Sequence, residues 1–233
     1  DRYGEIGGGC VHWGTIPSKM LRHAIQEYVD LTRNELFRPA LRQIHVEYPD
    51  LLKHVVSVTK RQLSMRRGFY ERNDVDMYDG HARFIDEHTL NITHADGSSS
   101  QIQGTHVVIA VGTQTTKDSH IEFDCQKIFT SDDILNLKEL PRSIVVIGAG
   151  VIGLEYGTIF AALGVRVTVV DKRPRLLTFV DYEVIDTLVY QMRQNRMTLQ
   201  LGEEVSGLER FSDDRGERVG VTLASGKQIQ AES

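Results

Sequence analysis

Apolar positions along the chain switch between two periods, and the switches mark its elements. Leu21, Ile25, Tyr28, Val29 and Leu31 lie on one side of a helix expected over 18–33, with Pro17 as an early helix position. Leu51, Leu52, Val55, Val56, Val58, Leu63 and Met65 do the same for a helix over 48–72. The stretch 34–47 between them is polar and reads as a connection. Short strands are expected at 75–78, 81–85 and 89–93, with Asp96-Gly97 turning the chain into 100–103. Residues 105–111 are β-branched and apolar, the pattern of a buried strand ending at Gly112.

A second series starts at Pro141. It predicts a buried strand at 143–147, a tight turn at 148–153, a helix at 154–163 and a strand at 165–170 ending on Asp171. A helix at 181–194 and a strand at 197–201 follow. Three short strands close the chain at 205–211, 218–223 and 228–231, with Ser225-Gly226 as a turn. Strands alternating with helices predict an α/β chain with parallel pairing. No tandem repeat of about 20–50 residues occurs.

Composition narrows the function. With 27 basic against 32 acidic residues the net charge is −5, which offers no broad basic surface to a nucleic acid. No apolar run approaches the ~20 residues that cross a bilayer. Two widely separated cysteines, Cys10 and Cys125, do not make a secreted disulfide framework, and no signal-like segment is present. A cytoplasmic protein is expected. The nine histidines show no metal-ligand spacing, so no metal site is expected.

The most informative motif is Gly148-Ala149-Gly150-Val151-Ile152-Gly153, set between a predicted strand and a predicted helix. In that context Gly148 allows a sharp turn, Gly150 lets backbone approach a pyrophosphate, and Gly153 lets helix and strand close up. The anion would sit at the positive end of the helix, where unpaired N–H groups point outward. Asp171, about 20 residues on, is the residue type that accepts from the ribose 2′-hydroxyl of NAD. A glycine-rich loop without a ligand is the weaker reading, because the acid stands where the fingerprint needs it. Lys172, Arg173 and Arg175 follow at once. They either hold the 2′-phosphate of NADP, so that both cofactors are accepted, or form a solvated loop.

Residues 7–19 carry a second signal: Gly7-Gly8-Gly9-Cys10, then His12-Trp13-Gly14-Thr15, then Pro17-Ser18-Lys19. This run resembles the redox segment of the flavin disulfide reductases, and more closely their soluble pyridine nucleotide transhydrogenase branch. In that family a second cysteine stands where this chain has Thr15. A hydroxyl forms no disulfide, so Cys10 has no local partner for dithiol chemistry.

The resemblance implies two Rossmann-like dinucleotide domains, one for FAD over 1–117 and one for NAD(P) over 118–233, both incomplete. It implies that the chain is part of a longer protein, with a preceding glycine motif and a later dimerisation domain. Asp1 and Arg2 then fall at the FAD ribose. Gly8, Gly9, Cys10 and Thr15 line the pyrophosphate and flavin side. Ala82, after Gly80-His81, marks the adenine strand. Ala110 and Gly112 match the Ala-Thr-Gly motif, except that Val111 departs from it. Ser131 falls near the flavin. Gly148, Gly150, Val151, Ile152, Gly153, Asp171, Lys172 and Arg173 serve the nicotinamide nucleotide.

By the same resemblance Lys19 lies near flavin N5, paired with Glu155, and the pair tunes the reduced flavin. Val151 takes the place of a mobile tyrosine found in some relatives. His12 and Trp13 are flavin-side packing and hydrogen-bonding groups, and Cys10 is a packing residue. The implied activity is hydride transfer between NADPH and NAD⁺ through bound FAD, in a full-length homo-oligomer. Residues 1–233 alone are expected to bind FAD weakly and to be inactive. The alternatives are a disulfide reductase of the dihydrolipoamide dehydrogenase kind using Cys10 with Cys125 or a cysteine from elsewhere, an NAD(P)H oxidase, and a nucleotide-binding piece without turnover.

Overall fold

The computed structural model describes residues 6–41, 46–119, 121–214 and 216–233, and forms two compact units. One comprises the described residues up to Pro17 with Val56–Gln114; the other comprises Ser18–Val55 with Thr115–Ser233. Residues 18–55 therefore group with the second unit, whereas the boundaries read from the sequence put them with the first.

The helices are α1 (Gly8–His12), α2 (Thr15–Arg33), α3 (Arg38–Leu41), α4 (Tyr48–Arg72), α5 (Val151–Ala162) and α6 (Tyr182–Gln194). The strands are β1 (His81–Phe84), β2 (Thr89–Thr93), β3 (Ser99–Gln103), β4 (Ser143–Ile147), β5 (Arg166–Asp171), β6 (Thr198–Leu201), β7 (Val205–Asp213), β8 (Gly216–Leu223) and β9 (Gln228–Ala231).

In the second unit β4, β5 and β6 form a parallel sheet with β5 in the middle. Ser233 lies on the free side of β4: its N–H donates to the Ser143 carbonyl, and its carbonyl accepts from the Val145 N–H at 2.9 Å. Read across, the order is β6, β5, β4, with Ser233 bordering β4 on the side away from β5. The meander β7-β8-β9 forms a separate antiparallel sheet.

The main core of this unit gathers Leu21, Ile25 and Val29 of α2, Tyr48 and Val55 of α4, and Leu154, Tyr156, Ile159 and Phe160 of α5. Beyond its exposed first turn, helix α5 packs between the sheet and α2, burying Leu154, Tyr156, Gly157, Ile159 and Phe160. Arg22 donates to the Thr158 hydroxyl at 3.0 Å, tying the two helices together. Helix α6 starts on Asp181, whose carboxylate accepts from the Glu183 N–H at 2.9 Å and satisfies one otherwise unpaired donor. Leu31, expected on the apolar side of α2, is exposed.

In the first unit β1-β2-β3 is an antiparallel meander turning at Asp96-Gly97. Two expected strands are absent. Residues 75–78 and 105–111 have no regular structure, and Val108, Ile109 and Val111 are 85%, 70% and 89% exposed. A β-branched apolar run shows a capacity to pair, but a strand needs a ladder partner. Among the described residues no strand lies beside either segment.

Candidate functional site

The glycine turn after β4 has the form its sequence predicts. Gly148 is left-handed at φ 105°, and its N–H donates to the Val170 carbonyl at 2.8 Å. A Cβ on Gly153 would run into the carbonyl oxygen of Gly148, so helix and turn can close only on glycine. Gly148 and Gly150 face open space instead. The first-turn N–H groups of α5 have no acceptor four residues back, and Val151 and Ile152 are exposed beside them. An open cradle lined by backbone donors fits the pyrophosphate of a dinucleotide.

Asp171, at the end of β5, is buried and fully engaged. Its Oδ2 accepts from the Ala149 N–H and from Arg173 Nη2, both at 2.6 Å. Its Oδ1 accepts from the Arg173 N–H and from Arg173 Nε, both at 2.8 Å. The guanidinium holds the carboxyl well below the usual carboxylate range, against the opposing effect of burial. The backbone here is clamped as well: Gly202 N–H donates to the Arg173 carbonyl and Glu203 N–H to the Asp171 carbonyl. Lys172 is exposed, and Arg175 stacks on the Tyr182 ring at 4.8 Å.

Lys19 and Glu155, assigned to each other by resemblance, meet at 2.5 Å between α2 and α5. Lys19 is 56% exposed and Glu155 only 15%, so the carboxylate is the anchored partner. The next residue, Tyr156, turns inward, and its hydroxyl is buried without a hydrogen-bond partner. Burial and the neighbouring Glu155 and Asp132 charges push that phenol up to about 12. Tyr48, buried in the same core, donates to the Ile134 carbonyl at 3.1 Å. Ser131 opens a 3₁₀ turn (Ser131–Asn136) capped by Thr130 and Asp133.

In the first unit Gly7 and Gly8 take φ 92° and 51°, producing the turn into α1. Cys10 is exposed and in no disulfide, and Thr15 is exposed at the start of α2. His12 Nε2 lies 3.1 Å from the Ile6 carbonyl oxygen, and its ring sits 5.8 Å from that of Trp13. Ala82 is in β1 opposite Ile92. Ala110 and Gly112 are exposed, with Gly112 left-handed at φ 73°. Asp1 and Arg2 lie outside the described residues.

Two features were not anticipated from sequence. The Cys125 thiol is hydrogen-bonded to the Asp133 carboxylate, which pushes the thiol up. Arg173 folds back onto Asp171 instead of standing free. Neither has a signal in spacing, because each depends on side-chain direction. Among the described residues no cluster of three or more His, Cys, Asp or Glu side chains could hold a metal ion, and no helix is long and apolar enough to cross a membrane.

A three-stranded parallel sheet with a glycine turn between β4 and α5 defines an α/β dinucleotide-binding fold. The chain matches the family described as pyridine nucleotide-disulphide oxidoreductase over residues 3–233, and it belongs to that family. It is 41% identical over its whole length to the soluble pyridine nucleotide transhydrogenase of Serratia proteamaculans, and 40% identical to the protein of that name from Colwellia psychrerythraea. It spans 49% of each, about half the length of these relatives. Among solved structures, LpdA from Mycobacterium tuberculosis superposes with a TM-score of 0.87 at 24% identity, covering 98% of this chain and 50% of that one. The HOCl-induced flavoprotein disulfide reductase RclA from Escherichia coli gives 0.76 at 24% identity, over 99% of this chain and 47% of its own. At these identities the two structures attest the fold.

Proposed function

We propose that this chain supplies nucleotide-binding elements of an FAD-dependent NAD(P)⁺ transhydrogenase of the Si-specific type, which passes hydride between NADPH and NAD⁺. The observation that carries the reading is the state of the two thiols. Cys10 is followed by Thr15 where a disulfide reductase needs its second cysteine, and the Cys125 thiol is engaged by Asp133. The names of the relatives at about 40% identity support the same activity.

FAD, when bound, supplies a two-electron store that lets two nicotinamide cofactors react in turn. The chain's own residues bind and polarise. Gly148, Gly150 and the first-turn N–H groups of α5 hold the nicotinamide dinucleotide pyrophosphate, while Asp171, Lys172 and Arg173 face its adenosine. Gly8, Gly9, Cys10 and Thr15 serve the flavin side of the first unit, with Ala82, Ala110 and Gly112 toward the rest of FAD. Glu155 anchors the Lys19 ammonium, whose charge favours an electron-rich flavin over a neutral one. We place the full-length protein in the cytoplasm as a homo-oligomer, acting on small nucleotides without nucleic acid or membrane.

The test uses the flavin-loaded full-length protein. NADPH oxidation is followed with thio-NAD⁺, with lipoamide, with glutathione disulfide and with oxygen as acceptors. Rapid thio-NAD⁺ reduction with ping-pong kinetics, and no disulfide turnover, is expected. Turnover of a disulfide would mean that Cys10 finds a second thiol from elsewhere and that the weight given to Thr15 is misplaced. Oxygen as the fastest acceptor would make the protein an oxidase.

A further inference from the structure

Helix α6 buries one side in the core and leaves the other bare. Ile185 and Met192 are buried, and Leu188 and Val189 are half-buried against the same core. On the outward side Glu183, Asp186, Tyr190 and Arg193 are all exposed, and their spacing sets them along one line of the helix. Tyr190 is 59% exposed, and Tyr182 at the edge of the line is 62% exposed, with the Arg175 guanidinium stacked on its ring. A solvated helix face is charged and polar, whereas exposed tyrosines are enriched where proteins meet.

The charges on this line are sorted. Glu183 lies in the first turn, Asp186 follows it, and Arg193 lies in the last turn. Among the described residues none of the three takes part in an ion pair. The dipole of α6 favours that sorting by itself, but it gives no reason for a tyrosine between the charges. A second copy of the helix running antiparallel does. About a two-fold axis level with Leu188, Glu183 faces Arg193 of the second copy and Asp186 faces the Tyr190 hydroxyl, which can donate to it. Symmetry makes each contact twice. A parallel pairing would set Glu183 on Glu183 and Arg193 on Arg193, like against like.

We propose that the outward face of α6 is a two-fold contact between copies of this protein, with Glu183 paired to Arg193 and Asp186 to Tyr190 across the axis. This names a surface for the homo-oligomer proposed above and rests on that reading for self-association, not on the nucleotide site. The 13 residues of α6 span about 20 Å, less than the ~800 Å² per partner of a standard interface requires. The contact is therefore reversible and concentration-dependent.

The experiment is sedimentation of the flavin-loaded full-length protein over a concentration series at low salt, where exposed charges are least screened. The mass of the unaltered protein should rise with concentration. Glu183→Arg alone and Arg193→Glu alone each bring like charges together twice, and each should weaken the association by about tenfold or more. An equimolar mixture of these two variants should regain it, because in a mixed pair every altered position faces its complement. Tyr190→Ala leaves the charges and the helix ends untouched, and should weaken the association by about threefold or more. Single variants that associate like the unaltered protein, or a mixture that regains nothing, would overturn the α6 contact. A mass fixed at a multiple of one protomer would overturn the contact and leave the homo-oligomer standing. A mass fixed at one protomer would overturn both.

Discussion

Lys19 on α2 and Glu155 on α5, separated by 136 positions in sequence, meet at 2.5 Å. The pair joins two helices of one unit, and the exposure of its lysine limits what it adds to stability. An ion pair with one partner more than half exposed contributes at most about 1 kcal/mol. In the proposed reaction its importance is electrostatic. Lys19→Met should lower the melting temperature by no more than a few degrees, about 1 kcal/mol at most. It should reduce kcat by about 100-fold, the scale of losing one donor to a developing charge. It should also make the bound flavin harder to reduce. A large fall in melting temperature with the flavin potential unchanged would make the pair purely structural.

Gly153 offers a sharper structural test. A Cβ there collides with the backbone of Gly148, which no side-chain adjustment relieves. Gly153→Ala should cost about 2–3 kcal/mol through overpacking and abolish nucleotide binding by displacing the start of α5. Normal binding by this variant would show that the turn opens to admit a methyl group.

The two cysteines should differ in reactivity although both are exposed. The Asp133 carboxylate favours the protonated thiol of Cys125, so its thiolate forms above the ordinary range of about 8.5. Alkylation of Cys125 should therefore be slow at neutral pH and accelerate about tenfold on Asp133→Asn. Cys125→Ser should leave thio-NAD⁺ reduction unchanged. Fast alkylation of Cys125 at pH 7 would contradict the hydrogen bond.

Asp171 makes the nucleotide unit acid-sensitive. Its folded pKa is depressed, so the native state binds fewer protons than the unfolded chain as pH falls through about 4. The stabilisation is fully present above that range and is lost below it. Asp171→Asn should be clearly less stable than the parent at pH 7, and the gap should narrow as pH drops below about 4. A gap that stays constant would mean that the carboxylate titrates normally.

Residues 105–111 should behave as surface in residues 1–233 taken alone. Replacing Val108 and Val111 by Ser should change stability by no more than about 0.5 kcal/mol and reduce aggregation, since both are almost fully exposed. A marked stability loss in the variants would show that this segment is buried after all.

The βαβ core from β4 to β6 was legible because period, turn chemistry and residue type agree there: an apolar strand, glycines at the turn, an acid at the end of the next strand. Helices α2 and α4 were legible from their long 3.6-residue spacing. The Lys19–Glu155 contact was anticipated only through resemblance, since nothing in local spacing relates residues so far apart. The segment 105–111 has as good a strand pattern as β4, yet it is exposed and unpaired. Periodicity reports what a segment can bury, whereas pairing depends on which neighbour is present.

The glycine turn and the long helices of this protein follow from the chain alone. Backbone torsion at the glycines and apolar spacing on the helices are set by neighbours a few residues away. Three matters were settled only by tertiary packing: the grouping of residues 18–55 with the later sheet, the engagement of Cys125 by Asp133, and the closing of Arg173 over Asp171. Each depends on where side chains point once distant segments, or the backbone clamps around them, are in place, and direction in space is not encoded at any single position.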